Sequence, residues 1–422
     1  MMLDANNWDW DTGQRLISDM NQWQSKFNWI EEPQVSQNGE KIAAIVNNSE
    51  GEFNVCVNDN MWEHSFEKIW YMRFSPDCRL TALVSEDSKW TVAVDGTPWE
   101  NRYDYVWNTM FDANGKNIAI TFQQDMKYGM ALNDNGWRNT YDNITNMTLS
   151  PNGSKTAAVV QNRTLKEADI ITFQDGIYTV AEDGTPWDSN FVNVWKIVFS
   201  PEAGNVAAEV RLNLYDYTIA VNGTPWNKTF DCVWEPAFHP LNKSIVAPVM
   251  THGKWTMAQD SNRIWDQQFV QLWQQMFSPD GSKLAAIVAP KYGKWTIAVN
   301  GRPWSILFNE LVTDPVFSPD GQKIAVVGKN NGKSTVAVDG VAWKRLFDRV
   351  WKPVFSPENN HVAVKVNIGE KYTMAMDDRL WDHECDILWD PVFSPEGDKI
   401  LLRAVEDGKY IRYVINIDEL LP

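Results

Sequence analysis

The stretch that decides the fold is Trp273 to Trp304, which reads Trp273-Gln-Gln-Met-Phe277-Ser278-Pro279-Asp280-Gly281-Ser-Lys283-Leu284-Ala285-Ala286-Ile287-Val288, then Ala-Pro-Lys-Tyr-Gly-Lys294-Trp295-Thr296-Ile297-Ala298-Val299-Asn300-Gly301-Arg-Pro303-Trp304. It holds four segments of strand type. The residues ending at Phe277 form strand A, and Lys283–Val288 form strand B. Trp295–Val299 form strand C, and Pro303-Trp304 opens strand D. Ser-Pro-Asp-Gly puts Pro and Gly where a tight reversal wants them. Asn300-Gly301 is a two-residue hairpin turn of the I′ type, in which both positions need φ > 0.

The same unit recurs along the chain. The Trp after the second turn stands at 23, 62, 99, 137, 187, 226, 265, 304, 343 and 381, in steps of 37 to 39 with a single step of 50. Val35, Phe74, Phe111, Leu149, Phe199, Phe238, Phe277, Phe317, Phe355 and Phe393 follow these markers by 12 residues, or once by 13. Four short antiparallel strands every ~40 residues are the signature of a propeller blade. The expected fold is therefore all-β: a single closed β-propeller of ten four-stranded blades over residues 22–422, with residues 1–21 as an N-terminal extension. Two smaller rings are the alternative architecture, although no linker or composition break interrupts the array.

The last copy, from Phe393 to Ile415, has strands A, B and C and no D. The segment Trp23-Gln24-Ser25-Lys26-Phe27 looks like a D strand without its own A, B and C. This predicts that residues 22–30 complete the C-terminal blade, a clasp that removes open sheet edges.

The repeated Phe-Ser-Pro-Asp-Gly-x-Lys-Ile-Ala element resembles the WD40-like repeats of TolB-type propellers. With its tryptophan content, its size and its lack of cofactor motifs, the chain also resembles the tryptophan-rich subunit of the Tmc transmembrane electron-transfer complex of sulfate-reducing bacteria. That resemblance implies a cofactor-free scaffold or assembly subunit whose protein partners are cytochrome, iron–sulfur and membrane subunits. It adds, to the cytoplasmic location expected from the N-terminal pattern and the cysteines, a peripheral place on the inner face of the membrane through partner subunits.

Composition bounds the function. The 422 residues carry 55 acidic and 38 basic side chains, a net charge of −17. Such a surface repels phosphate backbones and anionic lipid, which argues against nucleic-acid binding and direct membrane association. No apolar run approaches the ~20 residues of a spanning helix. The N-terminal residues show no basic and apolar pattern of a secretory leader. Cys56, Cys78, Cys232 and Cys385 form no framework, as expected of reduced thiols.

The 23 tryptophans locate the candidate sites. Ten form the marker column, read as packing between blades. Trp90, Trp255 and Trp295 lie at an aromatic position of strand C. Trp70, Trp107, Trp195, Trp234, Trp273, Trp351 and Trp389 sit four residues before the Phe-Ser-Pro element, at the end of the blade where the D–A and B–C connections lie. They are read either as buried packing or as an aromatic rim for a partner. Trp8 and Trp10 fall outside the repeat and suit either docking or a cap over the first blade. The long step places an insertion between strands B and C of one blade. Its Arg163, Leu165, Ile170, Ile171 and Phe173 either contact a partner or fold back on their own blade, since insertions in repeat proteins map to one face.

Catalytic signatures are absent. There is no Cys-x-x-Cys pair, no P-loop and no dinucleotide fingerprint. His383-Glu384-Cys385 is the one local cluster, read as a thiol or metal site or as a relaxed repeat position. The recurring acids at the turns answer to turn chemistry. The reading is of a non-catalytic scaffold without metal or cofactor. A propeller that recognises a peptide or glycan at an aromatic-rimmed mouth is the alternative. An enzyme with carboxylates in its channel ranks third.

Overall fold

The computed structural model describes residues 5–49, 51–167 and 169–420. These form ten antiparallel sheets, each in the order A-B-C-D. The fold is an all-β propeller of ten blades, closed by an N-terminal strand that completes the C-terminal sheet. Helix is confined, among the described residues, to α1 (Asn21–Lys26), α2 (Ile170–Gln174) and a 3-10 turn at Ile417–Glu419.

Burial explains the strand patterns. Strand B of blade 2, Leu80–Glu86, is buried at all but its last residue. A central strand covered on both faces has no solvent side, so its sequence is mostly apolar, with only the small hydroxyls of Thr81 and Ser85 buried among Leu80, Ala82, Leu83 and Val84. Strand A of the same blade, Lys68–Phe74, mixes exposed and buried positions.

The C–D turns are held by a device beyond their φ preference. Asp95 has φ 47° and Gly96 has φ 86°. The Asp95 carboxylate also accepts a hydrogen bond of 2.9 Å from the Leu80 backbone N–H, at the start of strand B. Asn58, Asn133, Asp183, Asn222, Asp260, Asn300, Asp339 and Asp377 repeat this contact in blades 1 and 3 to 9. The recurring acids and amides are structural acceptors, as turn chemistry predicts. At the A–B turns, Ser278 and the Ser282 region bond to Asp280 and hold its carboxyl down to about 2.

The marker tryptophans fill the wedges between blades. A Cβ on Gly184, in the C–D turn of blade 4, would lie 3.1 Å from Trp137 Cβ of blade 3. Gly223 stands in the same relation to Trp187, and Gly340 to Trp304. Trp137, Trp187 and Trp265 are buried, and the other markers from Trp62 onward are partly buried.

The blades group into two compact units of five. Blades 2 to 6 (residues 63–268) form one, and blades 7 to 10 with blade 1 form the other. In the second unit, closure differs in one respect from the sequence expectation. The clasp is Gly13–Asp19, paired antiparallel with Lys409–Asn416 from Gly13 opposite Val414 to Asp19 opposite Lys409. The propeller thus includes residues assigned to the extension. Residues 22–30 do not form the clasp: Asn21–Lys26 is helical and Trp29–Val35 is strand A of blade 1.

The physical reason is that no covalent C–D turn fixes the register here. An ordinary D strand pairs over two residues and one further bridge. The free clasp instead runs almost the length of strand C. α1 then crosses to blade 1, anchored on the Asp407-Gly408 turn by Met20 N–H to Gly408 O (2.9 Å) and Asn21 Nδ2 to Asp407 O (2.8 Å). Trp23, fully buried, donates its indole N–H to Asp59 at 2.5 Å. Blade 10 also bonds directly to blade 1, through Tyr410 Oη to Gly39 O (3.0 Å), Arg403 to Ser36 O (3.2 Å) and Arg412 Nε to Asn38 O (2.9 Å).

Candidate interaction face

Strand A begins, and strand B ends, at the end of each blade that carries the D–A and B–C connections. Lys68 opposite Ser85 shows this in blade 2. Strand A bulges just inside that end. The register jumps between Trp70 and Arg73 and again between Trp107 and Met110. The residue after the tryptophan takes a left-handed conformation: Tyr71 (φ 52°), Asn108 (φ 59°), Gln274 (φ 49°) and Asp314 (φ 53°, after Thr313). Asn and Asp tolerate this conformation through local hydrogen bonds; a bulky aromatic does not. Tyr71 is the one aromatic at this bulge among the described residues.

Around Tyr71 the aromatic residues of blades 2 and 3 form an array. Trp70 lies 6.4 Å from Tyr71, 6.2 Å from Trp90 and 5.9 Å from Tyr105, between ring centroids. Tyr105 continues to Trp107 at 5.9 Å, and Trp107 to Tyr128 at 6.0 Å. Trp70, Tyr71 and Tyr105 keep 36–38% of their surface exposed. Arg73 braces the underside. Its guanidinium carbon lies 5.4 Å from both the Tyr71 and Phe111 rings, and it donates to Tyr71 Oη (3.2 Å) and Thr109 O (2.8 Å).

Each of the seven predicted pre-A tryptophans packs on the strand C aromatic of its own blade. Beyond Trp70 and Trp107, the pairs are Trp195–Tyr217 (5.9 Å), Trp234–Trp255 (5.3 Å, stacked), Trp273–Trp295 (4.8 Å), Trp351–Tyr372 (5.7 Å) and Trp389–Tyr410 (6.0 Å). Packing and rim are therefore not exclusive. Trp234 stacks and is still 44% exposed, whereas Trp107, Trp195, Trp273, Trp351 and Trp389 are half-buried. Lys365 Nζ sits 4.3 Å over the Trp351 ring.

The insertion in blade 4 turns outward. Asp169 caps α2 by accepting from Thr172 N–H at 3.0 Å. Ile170 (65% exposed) and Ile171 (74%) project into solvent, Leu165 and Arg163 are exposed, and Phe173 is half-buried. Ala168 lies outside the described residues. Neighbouring B–C hairpins expose Met126 in blade 3, and Leu214 and Tyr215 in blade 5. These six exposed apolar residues, with Trp70, Tyr71 and Tyr105, lie at the same end of blades 2 to 5.

That end is rigid. Asp104, in the D–A connection of blade 2, accepts from Lys89 Nζ (2.5 Å) and from the Asp125 backbone N–H in the B–C turn of blade 3 (2.8 Å). The Lys89 hydrogen bond holds its carboxyl below the usual range. In blade 3, Asp142 pairs with Lys127, and its second oxygen accepts from Thr164 of the insertion at 3.4 Å.

Trp8 and Trp10 belong elsewhere. They stack at 6.1 Å and are half-buried. Trp10 Nε1 donates to Ala5 O (3.0 Å), and Trp10 O accepts from Lys399 Nζ (3.0 Å), at the A–B turn of blade 10. They lie as a cap on that turn of blade 10, not over the first blade, because the clasp that follows them pairs with blade 10.

Sequence reasoning missed Tyr71, Tyr105, Met126, Leu214 and Tyr215. Tyr71 stands where the bulges of other blades carry Asn, Gln, Asp or Glu, and that contrast was the available signal.

No protein-family model matches the chain. No curated protein matches it either. Among solved structures, the chain is similar to a crystal structure of the eukaryotic initiation factor (12% identity, 80% of this chain and 93% of that chain, TM-score 0.47). It is also similar to the Dos1 propeller (10% identity, 96% and 94%, TM-score 0.34) and to TolB from Acinetobacter baumannii (15% identity, 62% and 63%, TM-score 0.30). At these values the likeness carries no argument about function. No helix of the described residues is long and apolar enough to cross a membrane.

Proposed function

We propose that this propeller is a non-catalytic interaction scaffold that binds a protein partner through the B–C and D–A end of blades 2 to 5. The observation that carries the reading is the exposed array of Trp70, Tyr71 and Tyr105, built on a bulge that forces Tyr71 into the left-handed region. Backbone strain of this kind costs about 1–3 kcal/mol, and it gathers at functional positions. Tyr and Trp are the residues that anchor interfaces, because they bury large rigid area at small entropic cost. The apolar residues of the neighbouring hairpins extend the same surface.

The resemblance to the tryptophan-rich subunit of a transmembrane electron-transfer complex suggests the class of partner. It points to a cytochrome, iron–sulfur or membrane subunit of a redox assembly, with the propeller held at the membrane by that partner.

Site-specific photo-crosslinking in native membranes tests this. A benzophenone side chain at Ile171 or Tyr105 is expected to trap a defined partner protein. The same group at Val341, in a C–D turn at the opposite end of its blade, is expected to trap none. Equal labelling from all three positions, or trapping from Val341 alone, contradicts the assignment.

A further inference from the structure

At five junctions a ring from strand D of one blade shares a core cluster with an alanine in strand C of the next. The ring is Tyr103, Tyr141, Phe191, Phe308 or Phe347, and the corresponding alanines are Ala131, Ala181, Ala220, Ala337 and Ala375. Between blades 9 and 10 the sizes are exchanged. Cys385 stands at the ring position, and Tyr413 stands at the position that is Ala in eight blades and Cys56 in blade 1. Volume alone is satisfied by this swap, and a pure core repair would need nothing more.

The swap is accompanied by chemistry. His383 lies two residues before Cys385, on the same face of the extended segment. Glu406, at the end of strand B of blade 10, faces both. His383 Nε2 is 2.8 Å from Glu406 Oε1, and Cys385 Sγ is 3.6 Å from the same oxygen. The three donor atoms lie within 4.8 Å of one another. Tyr413 donates its hydroxyl to Glu406 Oε1 at 2.7 Å. Trp381 flanks the His383 and Tyr413 rings at 4.7 and 5.2 Å. A pocket of about 420 Å³, walled by Trp381, His383, Tyr413 and the clasp residues Thr12, Gly13 and Gln14, reaches the group at His383, with Cys385 buried behind it.

We infer that His383, Cys385 and Glu406 form a binding site for a borderline-soft divalent cation, Zn²⁺ above all, that joins blade 9 to blade 10. One thiolate, one imidazole and one carboxylate are a zinc donor set, and hard cations such as Mg²⁺ or Ca²⁺ do not choose sulfur. Bonds of ~2.0–2.3 Å in a tetrahedron set donor atoms roughly 3.5 Å apart, so the group needs adjustments on the order of 1 Å. A water or small anion entering from the pocket on the His383 side would supply the fourth ligand. The Tyr413 hydroxyl, donating to Glu406 Oε1, orients the carboxylate toward the ion. Binding displaces the thiol proton to solvent, because only the thiolate ligates.

The test uses the full-length chain, stripped with a chelator and dialysed against Zn²⁺ or Co²⁺. The wild type is expected to retain about one zinc per chain, and its Co²⁺ form to show a sulfur-to-metal charge-transfer absorption with strong tetrahedral d–d bands. His383→Gln, at a half-buried position that should fold, loses the retained zinc. Cys385→Ser loses the charge-transfer absorption. His252→Gln, outside the group, keeps both. Glu406→Gln provides a second lesion should Cys385→Ser fail to fold. Zinc retention by the wild type no greater than by His383→Gln, or a Co²⁺ form without the charge-transfer band, overturns the site.

Discussion

Tyr410 donates its hydroxyl to the Gly39 carbonyl at 3.0 Å, a bond between the last blade and the first that spans 371 residues of chain. The clasp Gly13–Asp19 covers the outer edge of the same strand. Removing residues 1–19 should leave strand C of blade 10 as an open edge. The expected cost is about 3–5 kcal/mol in urea unfolding, with dimers or larger species on size exclusion. A truncated protein that stays monomeric at wild-type stability would show that the clasp does not close the fold.

The C–D turns predict a graded effect. Asp339 combines φ 48° with an acceptor for the Ile324 N–H at 3.0 Å. Asp339→Ala loses both the tolerance for that φ and the acceptor, and should cost about 1–2 kcal/mol. Asp339→Asn keeps both and should change stability by less than about 0.5 kcal/mol. Equal losses in thermal or denaturant unfolding would contradict the role given to the side-chain acceptor.

How much of this was legible in the sequence depends on what each feature rests on. The blades were legible because each is a local unit whose turns and strand patterns recur within about 40 residues. The end of the blade that gathers the pre-A tryptophans followed from the same register. The clasp was placed too late because Trp23 keeps the marker spacing to Val35 while sitting in a helix, and spacing does not report pairing across the chain. The His383, Cys385 and Glu406 group was half visible. His383 and Cys385 are neighbours in sequence, but Glu406 joins them only through the packing of blade 10 on blade 9.

Glu209 makes stability depend on pH. It lies buried in strand B of blade 5, and desolvation, with the charge of Glu235, raises its carboxyl to about 7. Between its ordinary value of 4.5 and about 7 the folded chain keeps a proton that the unfolded chain releases. This group's contribution to stability therefore falls as pH rises through that window. Glu209→Gln should stabilise the protein by up to about 3 kcal/mol at pH 8 and by little at pH 4. A pH-independent difference between the two proteins would rule out Glu209 as the cause.

The insertion separates folding from binding. Ile170 and Ile171 project into solvent from a single helical turn. Ile170→Asp with Ile171→Asp should leave unfolding within about 0.5 kcal/mol of wild type. Partner affinity should fall by about tenfold or more, since exposed apolar anchors are buried on association. Full retention of affinity would remove the insertion from the interface.

The most direct test of the interaction face is Tyr71→Asn, with stability and partner capture measured on the same sample. Asn is the residue that the blade 3 bulge already uses at φ 59°. The account predicts a variant about 0.5–1 kcal/mol more stable, through relief of the left-handed strain, that captures its partner at least about tenfold more weakly. A variant that is stabilised and captures the partner as well as wild type would contradict it.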